Sequence, residues 1–148
     1  MDTGAALPGI SLQGTELLVA YLAQNVETLG VDRYAIVRFA GVLQHTFGYP
    51  NDEALRAHPL YSSGLAFYAF NEIANSPSVH ELAARNAKIF PGSEGRCLRL
   101  NHWIAAFHDE TLEVIGDTIE FLGVVPARSA SEAISKVYGK LSANVDHA

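Results

Sequence analysis

The stretch LRLNHWIAAFHDETLEVIGDTIEFL, residues 98–122, carries the reading of the fold. It holds two apolar runs, Leu98 to His108 and Thr111 to Leu122, with only Asp109 and Glu110 between them. A parallel pair needs a crossover of about a dozen residues, so a gap this short predicts a tight antiparallel hairpin. On the first strand Leu100, His102, Ile104, Ala106 and His108 share one face, because side chains alternate along a strand. With a two-residue loop, His108 lies opposite Thr111, Ala106 opposite Glu113 and His102 opposite Asp117. Glu113 is then the diagonal neighbour of His108. A carboxylate beside an imidazole is ordinary acid–base apparatus, in which the carboxylate orients the ring and the ring exchanges protons near neutral pH. The pairing depends on register, since a one-residue change in the loop turns Glu113 to the other face.

Outward from this hairpin the chain reads as α-β-β-α-β-β-α. Residues 1–14, rich in Gly, Pro and Ala, are expected to form an arm, and residues 15–148 one α+β domain. Thr15 is placed to cap a helix over 15–29 whose Leu18, Tyr21, Leu22, Val26 and Leu29 fall on one face, with Gly30 to end it. Arg33 to Phe47 carries β-branched and aromatic residues in near alternation, with Gly41 as a bend, and predicts a long curved strand. Gly64 to Ile73 returns to strand composition. Ser76-Pro77-Ser78 opens a helix in which Ser78 and Glu81 have the spacing of a capping box, and Pro91-Gly92 closes it. A last amphipathic helix runs from Ser131 to Leu141. The expected architecture is a curved antiparallel sheet of about four strands packed by three helices.

Composition narrows the function. The 148 residues are 49% hydrophobic with a net charge of −6 and no run of Lys or Arg, so clustered positive charge for nucleic acid or anionic lipid is missing. Cys97 is the single cysteine, which rules out an internal disulfide and a CxxC redox or zinc site and fits a reducing, cytoplasmic setting. The start Met1-Asp2-Thr3-Gly4 has no basic region, and the apolar run Leu17 to Leu22 is too short to span a bilayer. Neither a phosphate-binding loop, a dinucleotide fingerprint nor a G-x-S-x-G elbow occurs.

Several residues join His108 and Glu113 as site candidates. Glu72 sits in an aromatic strand on the face of Tyr68 and Phe70, where a carboxylate marks either a wet edge or a pocket. His58, with Asn51 and Asp52, belongs to a segment between two prolines that has the length and polarity of a lid, and Asn51 is also placed to cap a helical turn there. His102 shares the face of His108. His45, His102 and His108 with a carboxylate would suit Zn²⁺ or Fe²⁺ if they met at ligand distance. No His-x-His or His-Glu-x-x-His spacing supports that, and the expectation is no metal and no other cofactor.

The segments Phe-Gly-Tyr-Pro-Asn-Asp-Glu-Ala-Leu at 47–55, His-Pro-Leu-Tyr at 58–61, Tyr68 to Glu72, Asn75-Ser76 and Phe-His-Asp-Glu-Thr-Leu-Glu at 107–113 resemble those of a family of short bacterial proteins of unassigned function. The resemblance covers roughly residues 36–116. It implies no particular chemistry, but it falls on the same loop and hairpin.

The function expected from these residues is binding of a small molecule, with proton-transfer chemistry of the isomerase, cyclase or lyase type. His108 and Glu113 would be the acid–base pair, and His102, Glu72, His58, Asp52, Asn51 and Tyr68 the binding residues. The alternative is a protein–protein module of immunity or adaptor type, whose acidic surface meets a basic partner without catalysis. Aromatic strands with an edge to protect also predict a homo-oligomer, such as a homodimer.

Overall fold

A computed structural model describes residues 8–24 and 31–145. It is an α+β structure with two four-stranded antiparallel sheets. The first sheet has the order β1-β2-β3-β8, from Gly9–Gln13, Glu16–Gln24, Asp32–Ala40 and Thr118–Ala127. The second has the order β4-β7-β6-β5, from Gln44–Gly48, Thr111–Gly116, Asn101–Ala106 and Phe70–Glu72. Among the described residues three α-helices complete it, α1 (Pro77–Ile89), the single turn α2 (Glu94–Cys97) and α3 (Ala130–Val145).

The sheets face each other across a core of Leu17, Val19, Tyr21, Ala35, Val37 and Phe39 from one side and Trp103, Ala105, Phe107, Leu112 and Val114 from the other. The outer face of the first sheet is covered by α3, whose Ala133, Ile134 and Val137 pack on Leu18, Ala20, Tyr34 and Ile36. The outer face of the second is covered by the segment between β4 and β5, where Leu55 and Leu65 rest on Ile104 and Ala106.

This arrangement corrects the expected element order at its start. Leu17 to Tyr21, expected in a helix over 15–29, lie in strand β2, and residues 25–30 of that helix lie outside the described residues. The physical reason is that β2 is buried on both faces, between the second sheet and α3. A strand buried on both faces carries a continuous apolar run instead of an alternating one, and such a run mimics a helix face. Part of the expected arm is likewise a strand, because Gly9–Gln13 pairs with Glu16–Ala20. Gly14, with φ 60°, supplies the left-handed residue of their two-residue loop. Residues 1–7 lie outside the described residues.

The single curved sheet becomes two sheets that share bent strands. β3 and β4 are the two halves of the expected Arg33–Phe47 strand, broken at Gly41 (φ 62°), and β7 and β8 are the halves of the next, broken at Asp117. The halves pair in the same order, Ala40 with Thr118 and Gln44 with Ile115. The Asp117 N–H donates to the Ala40 carbonyl (3.0 Å) and the Leu43 N–H to the Ile115 carbonyl (2.9 Å) across the corner. The strand expected over Gly64–Ile73 is confined to Phe70–Glu72. The cap of helix α1 is Ser76, two residues before the Ser78 of the expected capping box, with Pro77 in its first turn.

Tyr21 is a test of the core. Its ring packs against Phe70 and Phe107, its hydroxyl is buried without a partner among the described residues, and burial pushes its pKa up to about 12. An unmet buried hydroxyl costs about 1–3 kcal/mol. Tyr21→Phe is therefore expected to raise the melting temperature. A lower one would mean that the hydroxyl is satisfied.

Candidate functional site

Hairpin β6–β7 positions the site. Its loop is the four residues Phe107–Glu110, closed by the Phe107 N–H donating to the Glu110 carbonyl (2.9 Å). Ala106 therefore pairs with Thr111, Ile104 with Glu113 and His102 with Ile115. Relative to a two-residue loop the pairing moves by two positions. An even shift keeps every side chain on its expected face, so Glu113 is still on the face of His102 and Ile104. Its diagonal imidazole neighbour, however, is His102 and not His108.

Glu113 is the centre of a chain of hydrogen bonds whose donors can be assigned from the outside inward. The Ser76 hydroxyl oxygen caps α1 by accepting the Val79 N–H (3.2 Å), which leaves its hydrogen for His102 Nδ1 (2.7 Å). With Nδ1 an acceptor, the ring's proton is on Nε2, and His102 Nε2–H donates to Glu113 Oε2 (3.1 Å). From the opposite side the Leu60 N–H donates to His58 Nδ1 (3.1 Å), and His58 Nε2–H donates to Glu113 Oε1. Each carboxylate oxygen thus receives one N–H from an imidazole that is itself oriented from behind.

The electrostatics follow from this geometry. Burial alone would raise the Glu113 pKa, but the hydrogen bonds from His102 and His58 outweigh it and hold the carboxyl below its ordinary range. The two imidazoles are closed off from solvent, His102 at 1% side-chain exposure, whereas Glu113 keeps 28%. The open side faces a cavity of about 110 Å³ lined by Gln44, His45, Thr46, Ser78, His102, Glu113 and Ile115. Thr46 stands directly across the ladder from Glu113.

The remaining expected site residues form a second group at the surface. The Tyr68 hydroxyl donates to Asp52 Oδ2 (2.5 Å), and that bond, with His108 nearby, holds the Asp52 carboxyl below its usual range. His108 is 54% exposed, with Nδ1 3.1 Å from Asp109 Oδ1 and Nε2 4.0 Å from Asp52 Oδ2. Asp109 and Asp52 together raise its pKa. Tyr68 takes φ 54°, a left-handed backbone rare for an aromatic residue. Asn51 accepts the Ala54 N–H (3.1 Å) and caps a helical turn. Glu72 lines a different cavity, with Ser76 and His80.

The structure thus joins Glu113, His102 and His58, joins Asp52, Tyr68 and His108, and separates Glu72 from both. Ser76 is a site residue that in the sequence shows itself only as a helix start. Its signal was the Ser-Pro pair, which favours Ser76 as cap with Pro at the first helical position. Among the described residues no group of three or more His, Cys, Asp or Glu is arranged to hold a metal ion, and no helix is long and apolar enough to cross a membrane. No protein-family model, no curated protein and no solved structure matches this chain.

Proposed function

We propose that the protein binds a small carbonyl compound at Glu113 and transfers a proton there, in a reaction of the isomerase, cyclase or lyase type. The observation that carries this reading is the carboxylate itself. It is fixed on both oxygens by oriented imidazoles, yet it remains open on one side to a cavity. A purely structural tie has no need of an open side.

In this reading Glu113 is the proton acceptor, and His58 and His102 are positioning residues. Carboxylates of nearly ordinary pKa serve as bases when the proton is acidified by an adjacent carbonyl. The lowered pKa of Glu113 makes it a weaker base still, so the compound must be an activated carbon acid, such as a 1,3-dicarbonyl. Thr46 and Ser78, with Gln44 and His45, line the same cavity and are polar groups available to the carbonyl end. The cavity of about 110 Å³ admits the reacting end of a molecule and not a large body.

The test is proton exchange. In D₂O, with a panel of small ketones and 1,3-dicarbonyl compounds, the wild-type chain is expected to speed deuterium incorporation at the α-carbon of at least one compound, as followed by proton NMR. Glu113→Gln, verified as folded by circular dichroism, should lose at least about a hundredfold of that acceleration, the usual weight of one acid–base group. Equal exchange by both proteins, or none above buffer by either, would reject the reading.

A further inference from the structure

A second and larger cavity, about 610 Å³, lies where the β3–β4 bend meets the C-terminal turn of α1 and the short α2. Its volume is within the range of about 300–1,000 Å³ usual for small-molecule sites. Val42, Leu43, Phe90 and Leu100 supply apolar walls. Phe90 and Leu43 are 61% and 56% exposed, apolar surface of the sort a bound molecule covers.

Two charges of opposite sign line the same cavity, Arg96 from α2 and Asp117 from the β7–β8 corner. Neither pairs with the other, and neither makes an ion pair with any other described residue. The Asp117 carboxylate lies against bare backbone, since a Cβ on Gly41 would come within 2.0 Å of its Oδ2. Asn86 is fixed by donating from Nδ2 to Ser93 Oγ (2.9 Å) and towards Cys97 Sγ (3.6 Å), which leaves its Oδ1 as an acceptor on the cavity wall.

An apolar hollow flanked by one unpaired cation and one unpaired anion is complementary to a molecule that carries both charges on an apolar body. We infer that this cavity binds a small zwitterion with an apolar side chain, of the α-amino acid or short-peptide class. Arg96 takes the carboxylate, Asp117 takes the ammonium group, and Leu43 and Phe90 cover the side chain. Glu113 does not line this cavity, so the inference does not depend on the chemistry proposed for Glu113.

Calorimetric titration of the full chain with L-phenylalanine, phenylacetate and phenethylamine tests this, because the latter two each lack one charge. L-phenylalanine is expected to bind at least about tenfold more tightly than either, the usual worth of one charge-assisted hydrogen bond. Arg96→Gln should bring L-phenylalanine down to the level of phenethylamine and leave phenethylamine unchanged. Asp117→Asn should bring it down to the level of phenylacetate and leave phenylacetate unchanged. Both residues are exposed, so melting curves of the two variants check that the fold is intact. Equal binding of the three compounds, no binding of any at millimolar concentration, or an L-phenylalanine isotherm indifferent to both substitutions would overturn the inference. Loss of binding in Glu113→Gln would also overturn it, by placing the molecule at Glu113.

Discussion

His102→Ala is expected to lower the free energy of unfolding by about 2–4 kcal/mol, from the loss of a buried side chain and of its hydrogen bonds together. The imidazole is fully enclosed and bridges Ser76 to Glu113. Without it the Ser76 hydroxyl hydrogen has no acceptor, Glu113 keeps a single imidazole donor, and a void opens under α1. Substituting Glu113 as well should add little, because members of one hydrogen-bonded chain are not additive. The pH dependence has a definite sign. Glu113 is depressed in the folded state, so its contribution is full above the unfolded pKa and is lost as pH falls through the lower folded value. Removing His102 removes one of the two bonds that oppose burial, so the folded pKa rises. Acid unfolding of His102→Ala should therefore begin at a higher pH than that of the wild type, as read by denaturant titrations between about pH 3 and 7. Coincident acid limbs would show that the His102–Glu113 bond does not set the carboxylate's charge.

Gly41→Val is expected to cost roughly 2–5 kcal/mol. About 1–2 kcal/mol comes from forcing an L side chain into the left-handed region, and about 1–3 kcal/mol from overpacking, since even a Cβ there would meet the Asp117 side chain at 2.0–2.8 Å. Gly14 provides the comparison. It has nearly the same φ, 60° against 62°, but open space around it, so Gly14→Val should cost only the backbone part. Denaturant midpoints of the two variants measure the difference. If they fall equally, the contact between the bend and Asp117 carries no weight.

How far the sequence could be read differs from one element to the next, for physical reasons. The hairpin was legible because two apolar runs so close together admit only antiparallel pairing, and the face shared by His102 and Glu113 survived because the loop error was even. The partner of Glu113 was not legible. Loop length is set by how Phe107 packs into the core and closes on the Glu110 carbonyl, and Asp-Glu has no strong turn preference that would reveal this. His58 reaches Glu113 from 55 positions away in the chain and Ser76 reaches His102 from 26, and no local pattern encodes such approaches. β2 misled because a strand covered on both faces loses its period-two signature. Gly41 was recognisable as a bend, but not as the point where a strand passes from one sheet to the other.

That passage bears on how the molecule comes apart. β3–β4 and β7–β8 each run through both sheets, and their ladder continues around the corner through the Asp117–Ala40 and Leu43–Ile115 hydrogen bonds. The sandwich therefore has no seam along which one layer could peel away with its own ladder intact. Opening either layer near the corner should also fray the other, so the region between the Glu113 cavity and the Arg96–Asp117 cavity is expected to open as a single cooperative unit.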